Sequence, residues 1–175
     1  ETDAMLHALQ RESFGYFVHE ADESTGLVLD KTAPGWPASI AAVGMALTCY
    51  PIGVQRGLMA HAHALRRTLA TLRFLHAIPQ SDAPDAGGHR GFFYHFLDMK
   101  TGRRAWTCEL STIDTALLMA GVLAAAAFFH AATPDETEVR ALASALYERV
   151  EWDWLVGARG TICHGWKPET GRLPW

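Results

Sequence analysis

The sequence predicts an all-α protein of the α/α-toroid class, with helices in an inner and an outer layer. Two periodicities predict it. Helical segments with a charged face alternate with helical segments that carry almost no charge. A Thr-Gly step with aromatic neighbours then follows each charged segment, at Thr25-Gly26, Thr101-Gly102 and Thr170-Gly171, spaced 76 and then 69 residues apart. A repeat in a fixed place in the element order argues for architecture before any single residue is considered.

The elements follow in order. Residues 4–20 set Leu6, Leu9, Phe14 and Phe17 between charges. Residues 38–50, from Ala38 to Tyr50, carry no charge at all. Residues 60–78 are amphipathic again, with Leu65, Leu69, Leu72 and Leu75 against Arg66, Arg67 and Arg73. Residues 111–132 are apolar nearly all round after Asp114. Residues 135–151 set Val139, Leu142, Leu146 and Val150 against Glu136, Glu138, Arg140 and Glu148. An amphipathic helix has one wet face, whereas a uniformly apolar one has to be covered on every side. Outer and inner layers satisfy both demands.

The loops carry turn chemistry, because glycine adopts positive φ freely. The run Phe92-Phe93-Tyr94-His95-Phe96-Leu97 has strand character, so the second Thr-Gly loop is expected to form a short β-hairpin. The first two Thr-Gly loops each lead into an uncharged helix, and the third is followed by Leu173-Pro174-Trp175. An inner helix is due next. Residues 1–175 are therefore expected to form the N-terminal half of one toroid domain. Its exposed apolar surface would be covered by the rest of a parent chain or by a second chain.

Composition narrows the function. The 175 residues are 49% hydrophobic and 19% charged, with a net charge of −4, enough for one core but not for two domains. Lys and Arg are scattered, which argues against nucleic acid. The uncharged stretch between Asp114 and Asp135 is long enough to test as a membrane span. It is alanine-rich, has acids at both ends and lacks flanking Lys or Arg, so a buried helix is expected and no membrane insertion. Cys49, Cys108 and Cys163 are odd in number and lack CxxC spacing, so neither a disulfide framework nor a zinc site is expected. His61 and His63 are two residues apart, not the three or four that helix-borne metal ligands need. No metal and no other cofactor is expected.

The segment Gly91-Phe92-Phe93-Tyr94-His95-Phe96-Leu97-Asp98-Met99, then Thr101-Gly102-Arg103-Arg104-Ala105-Trp106, then Glu109-Leu110-Ser111-Thr112-Ile113-Asp114, is distinctive. It closely resembles the glucoamylase-like domain of bacterial endo-β-1,2-glucanases and cyclic β-1,2-glucan synthases. Pro37-Ala38-Ser39-Ile40-Ala41 and Gly165-Trp166-Lys167-Pro168-Glu169 extend the likeness along nearly the whole chain. The resemblance implies an (α/α)6 toroid, glycoside hydrolysis and export to the periplasm or beyond. Two departures matter. Lys31 stands where the family pattern leads one to expect Arg, and the family's catalytic acid lies just past the region matching Pro174-Trp175.

Glycoside hydrolysis needs two carboxyl groups flanking the scissile bond. Within the motif, Glu109 and Asp114 are the catalytic candidates. Asp114 has a plainer alternative, since Ser111-Thr112-Ile113-Asp114 reads as a capping box whose acid meets the helix dipole. Trp36, Trp106, Trp166 and Trp175 fall in loops with Phe93 and Tyr94, and amphipathic rings of this kind stack on the C–H faces of sugars. Any one of them could instead plug the rim of the toroid. Asp30, Arg104 and Lys167 are candidate hydroxyl binders, and His95 lies inside the motif. The expected function is hydrolysis or transglycosylation of a β-glucan, plausibly β-1,2-linked, by carboxylate acid/base chemistry. The alternative is a non-catalytic sugar-binding or structural toroid module.

Overall fold

The computed structural model describes residues 2–173, so Trp175 lies outside the described residues. Its helices are α1 Thr2–His19, α2 Ile40–Gln55, α3 His61–Ala77, α4 Thr112–Phe128 and α5 Pro134–Glu148. The uncharged helices α2 and α4 pack on each other; the charged ones flank them, α1 and α3 against α2 and α5 against α4 and α3. The alternation of charge in the sequence is thus an alternation of layers.

The inner pair meets through two glycines. A Cβ on Gly44 would come within 2.5 Å of the Leu117 carbonyl oxygen, and one on Gly121 within 2.0 Å of the Gly44 carbonyl oxygen. The two backbones are in direct contact, which only glycine at both positions permits. Ile40, Val43 and Leu47 of α2 and Leu118, Met119 and Val122 of α4 are buried around this crossing. Each large aliphatic side chain among them contributes about 1.5–3 kcal/mol relative to exposure.

Among the described residues the inner helices are not covered on every side. Ile113, Leu117 and Leu123 of α4 are 56%, 40% and 43% exposed, and Met45 and Ile52 of α2 are 50% and 41% exposed. Among the described residues, these stripes face no packed element. Helix α1 departs from expectation. Leu6 and Leu9 are exposed, and its one fully buried residue is Phe14, whose ring lies where a Cβ on Gly53 would be. Helix α2 begins two residues late because Ala38–Ser39 form a strand, β1, and it runs through Pro51 to Gln55. No helix among the described residues is long and apolar enough to cross a membrane.

All three Thr-Gly steps are tight turns. Gly26, Gly102 and Gly171 have φ of 69°, 66° and 77°, and the flanking chain pairs antiparallel at Ala21 with Val28, Leu97 with Arg104, and Lys167 with Gly171. In the first two an aspartate four residues before the glycine fixes the turn: Asp22 accepts from the N–H groups of Ser24 and Thr25, and Asp98 from those of Lys100 and Thr101. These two turns dock on each other through Thr25 Oγ1 donating to the Met99 carbonyl (3.2 Å) and an Asp22–Lys100 ion pair.

The strand-like run at residues 92–97 is divided. Gly88–His89 (β2) pairs with Phe92–Phe93 (β3), while Phe96–Leu97 (β4) pairs with β1. A further sheet joins Leu110–Ser111 (β5), Gly165–Lys167 (β6) and Gly171–Arg172 (β7). Tyr94 and His95, between β3 and β4, therefore sit where the chain changes partner.

Candidate functional site

His95 is the centre of a cluster assembled from two stretches of chain, the turn at residues 94–95 and the segment 109–114. Tyr94 bridges to Leu110, and the His95 N–H donates to the Glu109 carbonyl at 2.9 Å. This pairing brings the Glu109 side chain against the imidazole, with His95 Nδ1 2.9 Å from Glu109 Oε1. On its other side, His95 Nε2 lies 3.7 Å from Asp114 Oδ2. Asp114 occupies the first turn of α4, where the Ser111 Oγ caps the helix by accepting from the Asp114 N–H (3.2 Å) and donates to the Asp114 carboxylate. The capping role and the place in the cluster are thus one arrangement. Gly165 of β6 closes the back, since a Cβ there would stand 3.3 Å from Glu109 Cγ.

The three side chains are partly sheltered, at 30%, 19% and 13% exposure for His95, Glu109 and Asp114. The hydrogen bond with Glu109 raises the His95 pKa above its ordinary value, and the nearby Asp114 and Asp30 add to it against the pull of burial. Reciprocally, the bond from His95 lowers the Glu109 pKa, with His164 helping.

One atom from each member of this trio lies within 4.8 Å of the others, a spacing at which a cation could be considered. The geometry speaks for a clamp instead. Nδ1 is bonded to Glu109 at 2.9 Å and Nε2 lies 3.7 Å from Asp114, so the one imidazole borders both acids. The same geometry bears on catalysis. The carboxyl groups of a glycosidase stand about 5–9.5 Å apart with the sugar between them, whereas here carboxylate oxygens of Glu109 and Asp114 come within 4.8 Å of each other. Glu109 and Asp114 therefore leave no room for a sugar ring between them.

An aromatic series leads away from the cluster. His95 stacks on Phe96 (centroids 3.9 Å apart, 13° between planes), and Phe96 meets the edge of Trp106 at 5.1 Å. Trp106 in turn meets Trp36 at 5.2 Å. The Trp36 indole donates to Asp30 Oδ2 at 3.2 Å, and Lys31 Nζ sits 3.7 Å above its ring. Trp106 is 58% exposed with φ of 53°, a left-handed conformation that costs a bulky residue of order 1 kcal/mol. The two tryptophans line an open groove of about 550 Å³ that also takes in Asp22, Asp98, Lys100 and Arg104.

Other expected sugar contacts fall elsewhere. Phe93 and Tyr94 are completely buried, so neither ring offers a face to a ligand. They anchor the hairpins in the core, and burial pushes the Tyr94 phenol up to about 12. The Arg104 side chain is only 1% exposed and its guanidinium is engaged, donating to the Cys108 carbonyl at 2.7 Å and to both Glu169 oxygens. It is a brace between loops. Trp166 stacks on His89 at 5.1 Å in a separate cluster with Trp154. Lys167, the next residue, points to the opposite face of the ribbon. Sequence reasoning missed Glu169 and Phe96 as partners of Arg104 and His95. Both lay within the motif segments, but only the folded hairpins bring each pair together.

Comparison with known proteins agrees with the architecture. No family model matches the chain. A curated relative, the exo-β-1,2-glucooligosaccharide sophorohydrolase (non-reducing end) of Parabacteroides distasonis, is 25% identical over 159 residues, covering 87% of this chain and 21% of that protein. Among solved structures, a glucoamylase candidate from Bacteroides uniformis superposes with a TM-score of 0.86 at 22% identity, covering 98% of this chain and 41% of its own. An endo-β-1,2-glucanase from Chitinophaga pinensis, solved with sophorotriose and glucose, gives 0.84 at 18% identity, covering 98% and 42%. The chain thus has the fold of part of a glucoamylase-like α/α toroid, and it spans about a fifth of that curated relative and two fifths of those structures.

Proposed function

We propose that this chain supplies the first half of a single toroid domain in a glycoside hydrolase acting on a β-glucan, with the β-1,2 linkage as the substrate of first choice. The observation that carries the reading is the juxtaposition of the His95–Glu109–Asp114 cluster with the Trp106–Trp36 pair, through Phe96. Carboxylates beside an aromatic platform suit a sugar whose C–H face stacks while its hydroxyls are held. The name of the curated relative and that of the Chitinophaga pinensis structure favour β-1,2-glucan over other glucans.

Glu109 and Asp114 form one pole of the site, and the opposing carboxyl group comes from the rest of the toroid. The exposed stripe of Ile113, Leu117 and Leu123 is where that remainder packs. A polymeric glucan does not cross membranes unaided, which fits action in the periplasm or outside the cell.

Reducing-sugar release from β-1,2-glucan, laminarin and starch tests the reading, comparing this chain with a longer one that includes the following inner helices. Release from β-1,2-glucan by the longer chain, abolished by Glu109→Gln, is the expected result. Glucan binding without release by either chain would favour a sugar-binding module.

A further inference from the structure

We propose that His95 is a positioning residue, a doubly protonated imidazole clamped between Glu109 and Asp114 that keeps Glu109 an anion with a fixed direction, so that Glu109 accepts protons or hydroxyl hydrogens and never acts as the proton donor. The inference rests on the proposed glycosidase reading and assigns the poles of that site.

The argument begins with the ring. A neutral imidazole carries one N–H and one bare nitrogen. Here Nδ1 is hydrogen-bonded to Glu109 at 2.9 Å, and Nε2 lies 3.7 Å from Asp114, beyond hydrogen-bond reach but close for two opposite charges. The protonated ring gives Glu109 its donor and sets a positive charge beside Asp114 as well, which the neutral ring does not. The ring is also held against turning. Its residue's N–H donates to the Glu109 carbonyl (2.9 Å), its carbonyl accepts from the Ile40 N–H (3.2 Å), and its flat face lies on Phe96 at 3.9 Å. Of the charged groups that bear on the pair, Glu109, Asp114 and Asp30 favour the imidazolium, and His164 favours the Glu109 carboxylate.

A general acid needs the opposite setting, a carboxyl group kept protonated near neutral pH by burial or by a like charge. Glu109 has a cation against it. The proton donor of the reaction must therefore be a group other than Glu109.

An NMR titration of the imidazole nitrogens in the intact protein tests the clamp without needing activity, the signal being assigned by its loss in His95→Gln. Both nitrogens should show protonated shifts at neutral pH, with a midpoint above that of free histidine. Glu109→Gln should lower the midpoint more than Asp114→Asn does. A midpoint at or below that of free histidine, or one unmoved in Glu109→Gln, overturns the proposal. In kinetics, His95→Gln should lower kcat on the order of 10²-fold through misplacement of Glu109, with little change in KM. It should also move the acidic limb of the pH–rate profile to higher pH, because Glu109 loses its cation. A fall in kcat with the limb unmoved would reduce His95 to packing and overturn the proposal. If the titration behaves as expected but no glucan is cleaved, the clamp stands and the glycosidase reading falls. Cleavage with a low His95 midpoint sinks the clamp alone.

Discussion

Arg104 holds Glu169 with two hydrogen bonds, 2.6 Å and 3.1 Å long, and so ties the second Thr-Gly hairpin to the third across 65 residues of sequence. The same guanidinium spends its Nε on the Cys108 carbonyl and lies 4.6 Å over the Tyr94 ring. A planar fork serves all three partners together, which a lysine cannot do. Arg104→Lys should therefore destabilise the protein, and the Cys108 carbonyl left without its donor accounts for about 1–3 kcal/mol of that. Urea unfolding checks the size. A midpoint equal to wild type would mean that the loops are held in some other way.

Gly121 makes the sharpest stability prediction. A methyl group there meets the Gly44 carbonyl oxygen at 2.0 Å, and no rotamer change can relieve a backbone contact. Gly121→Ala has to push α4 away from α2 and should cost about 1–3 kcal/mol or more as overpacking. Gly35→Ala serves as a control, since a Cβ there meets nothing within 4 Å and only its φ of 71° is strained. If the two variants unfold at the same urea concentration, the glycine crossing is not what sets the helix separation.

The layer order was legible in the sequence because charge reports water directly. Glu138 and Arg73 cannot sit inside, and they pair on the surface between α5 and α3. The turns were legible because Thr25-Gly26, Thr101-Gly102 and Thr170-Gly171 need positive φ at one position. The site was only half legible. Glu109, Asp114 and His95 stood in one motif, but their order along the chain does not say that the imidazole packs against both acids. That arrangement comes from the Tyr94–Leu110 pairing, a contact between residues 16 apart. Phe93 and Tyr94 were misjudged for a related reason. A strand residue is expected to face either core or solvent, but Phe92, Phe93 and Tyr94 are all buried, where the chain passes from its pairing with β2 to that with β1.

Stability should depend on pH in a way that identifies the His95–Glu109 pair. His95 has its pKa raised from an ordinary 6.5, so its contribution is fully present below 6.5 and is lost as pH rises through the folded value. Glu109 has its pKa lowered from an ordinary 4.5, so its contribution is present above 4.5 and is lost as pH falls through the folded value. One interaction underlies both shifts and is counted once. The stability lost in Glu109→Gln should therefore be largest between pH 4.5 and 6.5 and shrink on either side. Urea midpoints for both proteins across pH 3 to 9 (an approximate range chosen to bracket both groups) measure this, and a difference that does not vary with pH would count against the pair.

Trp106 separates a binding role from a structural one. Its φ of 53° is left-handed and its ring is largely exposed, so the backbone carries strain that the folded core does not require. Glycine at this position relieves the strain and removes the ring, whereas alanine removes the ring and keeps the strain. Trp106→Gly should thus be at least as stable as Trp106→Ala, by about 1 kcal/mol. Both should bind a β-1,2-glucooligosaccharide about two- to tenfold more weakly, the loss expected for one stacked ring of about 0.5–1.5 kcal/mol. Calorimetric titration paired with urea unfolding distinguishes the outcomes. Unchanged affinity in both variants would make Trp106 a plug that closes the hairpin over Phe96 and Trp36. Weakened affinity in the better-folded glycine variant cannot be blamed on lost structure, and it would place the sugar on the indole face.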